Sequence, residues 1–182
     1  SRLSLDGTGG DNTLIGASGN DFLQGFNGND LLYTGWGTDT VFSGGGDDTV
    51  MAAGGNNELW GGPGNDVIRA RNGADLLGGG TGNDFLDGGG GQNRIWGGAG
   101  DDIALGGGSA DAIGGGNGND ALYGYGGEDL IFGGPGLDTI HGGNGDDTLW
   151  GGSGDDLLVG GSGDDMFAAG AGIDHIWGGT GA

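Results

Sequence analysis

A nine-residue period runs from Gly7 to Trp177 without one insertion or deletion, giving nineteen consecutive nonapeptides. Three clean copies are GGPGNDVIR at 61–69, GGNGDDTLW at 142–150 and GGSGDDLLV at 151–159. The consensus is G-G-x-G-x-D-x-U-x, with U a large aliphatic residue. The fourth position is glycine in 18 of 19 repeats, Ser109 being the exception. The sixth is Asp in 16 and Asn in three, namely Asn12, Asn57 and Asn93. The eighth is Leu, Ile or Val in 17, with Ala104 and Phe167 outside the pattern. A period this strict makes the repeat the folding unit, stabilised by its neighbours.

Each column has a physical meaning. Six glycine-rich residues turn sharply, because glycine adopts positive φ without a Cβ clash. The remaining x-U-x forms a minimal strand, with U on one face and its neighbours on the other. Turn and strand in alternation predict a flattened spiral with two repeats per coil and coils stacked about 4.8 Å apart. The U residues of both sheets then meet in a thin aliphatic core. The fold expected is all-β, a parallel β-solenoid.

Such a chain is costly to order. It has 56 glycines in 182 residues, and glycine loses more backbone freedom on folding than any other residue. Two prolines and no triplet period exclude collagen. The segment is therefore either unfolded or folded by an outside ligand, and the charge points to the ligand. Twenty-six acidic residues face four arginines, Arg2, Arg69, Arg71 and Arg94, for a net charge of −22. That balance repels nucleic acid and anionic membranes and attracts cations. Stacking sets the Asp of each turn over the Asp two repeats away, and carboxylates about 5 Å apart repel. A hard dication held by oxygens removes the penalty. Calcium takes 6–8 oxygen ligands in flexible geometry, where magnesium is more demanding. Eleven divalent ions would neutralise the whole charge of −22. With no cysteine, disulfides and thiolate zinc sites are excluded. No apolar run approaches the ~20 residues of a membrane-spanning helix, and residues 1–20 lack the regions of a signal peptide.

On these repeats the chain resembles the RTX (repeats-in-toxin) family of bacterial secreted proteins over residues 7–177. The resemblance implies a right-handed parallel β-roll with calcium between successive turns on each side. It implies that the metal ligands are the sixth-position aspartates: Asp21, Asp30, Asp39, Asp48, Asp66, Asp75, Asp84, Asp102, Asp111, Asp120, Asp129, Asp138, Asp147, Asp156, Asp165 and Asp174. It further implies type I secretion, with the chain unfolded in a calcium-poor cytosol and folded outside the cell.

The pattern departs from consensus on one edge. Even-numbered repeats share an edge of the spiral, and in mid-array they read AAGGNNELW, ARNGADLLG, GGGGQNRIW and GGGSADAIG. Asn57 and Asn93 remove two carboxylates there, and Arg71 and Ser109 replace turn glycines. Calcium sites along that stretch are expected to be weak or empty, with Arg71 or Arg94 supplying positive charge. The array starts and stops in mid-repeat, with partial repeats at 1–6 and 178–182 and no polar cap, so the whole of 1–182 is expected to be one roll from a longer chain or filament.

Outward strand positions carry aromatics. On the even sheet they are Phe42, Trp60, Trp96, Phe132 and Trp150, interrupted by Gly78 and Gly114. This stripe suits a sugar, a neighbouring protein or another filament strand, or it is simple cross-strand packing. The odd sheet (Tyr33, Arg69, Asp87, Tyr123, His141, Trp177) suggests nothing specific. His141 and His175 are expected in solvent. No Lys is present for a phosphate loop, no EF-hand loop occurs, and pairs such as Asp155-Asp156 recur too often to be acid–base catalysts. The leading function is thus a calcium-folded secretion module without enzymatic activity. A fibre, surface-layer or adhesin segment comes second and a polysaccharide-binding module third. The partners expected are calcium ions, neighbouring domains of a parent chain, or further copies of itself.

Overall fold

The computed structural model describes residues 2–181. The chain winds into two parallel ten-stranded sheets and contains no helix among those residues. One sheet takes β1 (Ser4–Asp6), β3 (Phe22–Asn27), β5 (Thr40–Gly45), β7 (Glu58–Pro63), β9 (Leu76–Thr81), β11 (Arg94–Ala99), β13 (Ala112–Asn117), β15 (Leu130–Pro135), β17 (Thr148–Ser153) and β19 (Met166–Ala171). The other takes β2 (Thr13–Ser18), β4 (Leu31–Trp36), β6 (Thr49–Gly54), β8 (Val67–Arg69), β10 (Phe85–Asp87), β12 (Ile103–Gly107), β14 (Ala121–Gly126), β16 (Thr139–Asn144), β18 (Leu157–Ser162) and β20 (His175–Thr180). Consecutive strands fall in opposite sheets, so each coil holds two repeats. Pairings join residues eighteen apart, as in Leu23↔Val41 and Leu122↔Ile140, apart from a local irregularity between β4 and β6 where Gly35 pairs with Ala52.

The U side chains point inward from both sheets. Leu23, Leu59, Ile95 and Ile131 from one face Leu32, Ile68, Leu122 and Ile140 from the other, all with no exposed surface. Ala104 is also fully buried, whereas Phe167 is only partly so. The core is one side chain thick per sheet, and it depends on each coil covering the next.

Most strands are six residues long, not three. They run through the first three repeat positions, so the leading glycines join the ladder and only positions four to six turn. Even the turns are laddered: Gly28 N–H donates to Gly45 C=O at 2.8 Å and Thr40 N–H to Asp21 C=O at 2.9 Å. The glycines are required for two reasons, seen at Gly98. Its φ is 122°, and an added Cβ would lie 2.1 Å from the carbonyl oxygen of Gly80 in the preceding coil. Arg71, at the same repeat position, does not take positive φ, and β8 ends at Arg69 with only an isolated bridge, Asn72↔Gly90, beyond it. Tyr125 and Phe26, again at this position, are held at φ 72° and 79°.

Candidate metal centre

Both edges of the solenoid carry a buried column of sixth-position side chains. On one edge Asp21 N–H donates to Asp39 Oδ1 at 2.7 Å, and the same bond recurs coil by coil to Asp129→Asp147 at 2.8 Å and Asp147→Asp165 at 3.0 Å. On the other, Asp30 N–H donates to Asp48 Oδ1 at 2.7 Å and the series ends with Asp156→Asp174 at 3.0 Å. One carboxylate oxygen is therefore consumed in tying its coil to the preceding one. The second is not. In fifteen aspartates, from Asp21 to Asp165, Oδ2 is buried with no hydrogen-bond partner; Asp174, half-buried, is the one predicted ligand outside that set.

The position-one glycine makes room for this oxygen. At Gly97, Gly115 and Gly124 an added Cβ would meet the Oδ2 of Asp102, Asp120 and Asp129 at 2.2, 2.1 and 2.2 Å. Where Thr34 or Ser43 stands instead, its hydroxyl lowers the pKa of Asp39 or Asp48, but not enough to offset burial. Burial is the largest influence throughout. It pushes Asp66, Asp102 and Asp129 up to about 7 and Asp111 and Asp138 up to about 6, against the donated backbone N–H, which pulls down. A column of desolvated carboxylates, each with a bare oxygen, is unfavourable unless a proton or a cation is shared with it.

A family model for the RTX calcium-binding nonapeptide repeat matches residues 6–41, 42–77, 78–113, 105–140, 132–167 and 159–182. The chain belongs to the RTX calcium-binding nonapeptide repeat family. No curated protein matches it as a relative.

The three sixth-position asparagines of this RTX array show what the bare oxygens face. Asn57 Nδ2 donates to the carbonyl of Gly55 at 3.0 Å, Asn93 Nδ2 to that of Gly91 at 3.0 Å, and Asn12 Nδ2 to that of Gly10. Each carbonyl belongs to the fourth position of the same repeat, and Oδ1 of Asn57 and Asn93 still accepts the ladder N–H, at 3.0 Å in both. An Asp in this setting presents an oxygen to an oxygen. Such a donor set, carboxylate plus carbonyl with no nitrogen or sulfur, fits a hard dication such as calcium. Among the described residues no three carboxylate or imidazole groups converge, so backbone carbonyls must complete any coordination shell.

Other expectations meet mixed outcomes. Arg71 and Arg94 do not compensate the column: both are exposed, and neighbouring Asp75 and Asp111 keep unpartnered Oδ2 atoms. His175 is exposed, but His141 is half-buried and stacked on Tyr123, with centroids 5.1 Å apart and planes at 8°. Tyr123 also stacks on Tyr125 at 6.0 Å, an aromatic group on the odd sheet that column counting missed because Tyr125 occupies a glycine position. Position five holds a second ladder, exposed and of opposite sense: Asp101 N–H donates back to Asn83 Oδ1 at 2.9 Å, and Asn83 N–H to Asn65 Oδ1 at 2.8 Å. The frequency of Asn and Asp at that position was its signal. Asp155, one of these, accepts from Ile173 N–H at 2.7 Å. Among the described residues no helix is long and apolar enough to cross a membrane.

Proposed function

We propose that this RTX array is a calcium-dependent folding module of a secreted bacterial protein, without catalytic activity of its own. The observation that carries this is the set of fifteen buried, unpartnered Oδ2 atoms; where Asn57 and Asn93 stand in place of Asp, the Nδ2 donates to the fourth-position carbonyl of its own repeat. The sixth-position aspartates are the metal ligands, strongest on the odd edge, where Asp30 through Asp156 run without an amide. On the even edge, Asn57 and Asn93 supply their own hydrogen to the carbonyl, which weakens cation binding at those coils. Calcium, when bound, supplies the positive charge that the columns lack. Where calcium is scarce, buried carboxylate repulsion and glycine entropy keep the chain unfolded, a state suited to type I export; outside the cell, binding and folding coincide.

The test is far-UV circular dichroism of the chain during a calcium titration, with magnesium as control. A cooperative rise of β signal with calcium alone is expected. A full β signal in chelator at neutral pH would overturn the reading and favour a structural fibre segment.

A further inference from the structure

Along the outer face of the even sheet, Trp60, Gly78, Trp96, Gly114 and Phe132 are register neighbours in that order. From Trp60 to Phe132 aromatic rings therefore recur at every second coil, roughly 9.5 Å apart, and Phe42 and Trp150 extend the stripe by one adjacent coil at either end. The intervening glycines are not gaps. A Cβ at Gly78 would meet Trp60 Cε3 at 2.3 Å, and one at Gly114 would meet Trp96 Cδ1 at 3.0 Å, so each indole leans over the glycine of the next coil. Trp60 is further held by its Nε1–H, which donates to Glu58 Oε1 at 2.9 Å. Trp96 and Phe132 are 46% and 36% exposed, so part of each ring is open to a ligand, while Phe132 also packs edge-on against Trp150 with centroids 5.0 Å apart. Between them, over Gly114, lies an open notch of about 380 Å³ with Asn117 and Pro135 on its far side.

We propose that this face binds a linear, neutral β-1,4-linked polysaccharide, the chain lying along the solenoid axis. Three observations select that occupant. In a β-1,4-linked chain of pyranoses alternate rings present the same face, and two rings span a length close to the two-coil interval of Trp60, Trp96 and Phe132. Indoles laid over glycine offer the apolar face on which a pyranose C–H surface stacks, while Asn117 and Glu58 beside them reach ring hydroxyls. Four arginines and no lysine in 182 residues leave few cations to hold a uronate or sulfated chain, which favours neutral ones. The site is separate from the aspartate columns at the edges and needs calcium only in so far as the fold does.

The experiment uses the whole chain at saturating calcium, titrated with cellohexaose and followed by tryptophan fluorescence and calorimetry, with retention on insoluble cellulose and xylan in parallel. Binding of the hexasaccharide is expected, with cellobiose and alginate weaker by about tenfold or more. Trp96→Ala and Phe132→Ala each lose about tenfold or more, with circular dichroism unchanged. Trp36→Ala, which removes a 66% exposed indole from the opposite sheet, binds as wild type. Failure of a folded wild-type chain to bind any neutral β-1,4 glycan overturns the proposal, as does equal binding by Trp96→Ala. A Trp96-dependent dimer in sedimentation without glycan binding would assign the face to a second copy instead.

Discussion

Asn57 donates its Nδ2 hydrogen to the carbonyl of Gly55 over 3.0 Å, and in doing so fills the place that a bare carboxylate oxygen takes in the coils on either side. Asn93 repeats the arrangement with Gly91. An amide and a carboxylate are nearly the same shape, yet one carries the proton that the carbonyl requires and the other needs a proton or a cation from outside. Coil by coil, the choice between them sets whether a turn is complete by itself.

Asn57→Asp and Asn93→Asp should therefore create cation sites on the weak edge. Each is expected to raise the number of calcium ions retained per chain, counted by metal analysis after equilibrium dialysis, and to sharpen the calcium-driven transition. In chelator both should destabilise the folded state. A calcium count equal to wild type in both variants would show that the carbonyls of Gly55 and Gly91 do not contribute.

Asp102→Asn is the converse. The amide hydrogen satisfies the carbonyl of Gly100 and a buried charge disappears, so the calcium-free fold should gain roughly 1–3 kcal/mol, the cost of an unsatisfied buried polar group. At saturating calcium the same variant should lose a ligand and bind fewer ions. The residual β signal in chelator should rise above wild type, while the urea midpoint in calcium should fall below it.

Acidity should substitute for calcium. Asp66, Asp102 and Asp129 have folded pKa values of about 7 and Asp111 and Asp138 of about 6, all above the ordinary 3.8. A raised folded pKa means that the folded state holds the proton more tightly than the unfolded one. This contribution to calcium-free stability is fully present below pH about 4 and is lost as pH rises to about 7. The β signal in chelator is expected to be stronger near pH 4 than at pH 7.5, and apparent calcium affinity should rise with pH across the same window. A calcium-free β signal that grows with pH would contradict this.

Two glycine substitutions separate local geometry from chain entropy. Gly98→Ala places a Cβ 2.1 Å from the Gly80 carbonyl at a φ of 122°. It should destabilise the calcium-loaded fold by about 2 kcal/mol or more, since the left-handed region alone costs roughly 1–2 kcal/mol. Gly108→Ala, where nothing lies within 4 Å of the added Cβ and φ is not positive, should leave the melting temperature nearly unchanged. Equal effects would mean that glycine acts only through chain entropy.

The sequence alone determined the period, the two repeats per coil, the inward U column and the stacking of sixth-position aspartates. All of these follow from residue types repeated at a fixed interval, so one repeat read correctly predicts the rest. What only the tertiary structure decided concerns partners eighteen residues away. Leading glycines such as Gly98 and Gly116 lie in strands because the neighbouring coil supplies their hydrogen bonds, which no local turn propensity reveals. Of the two oxygens of Asp102, one accepts from Asp84 N–H and the other is left bare, a division made by the coil before it. Arg71 and Arg94 carry the charge to neutralise Asp75 and Asp111, but both side chains are exposed to solvent. Trp60 lies flat because the next coil offers Gly78 beneath it. A periodic sequence states what each column contains; contact between coils decides which atoms of a column are satisfied and which must find a ligand.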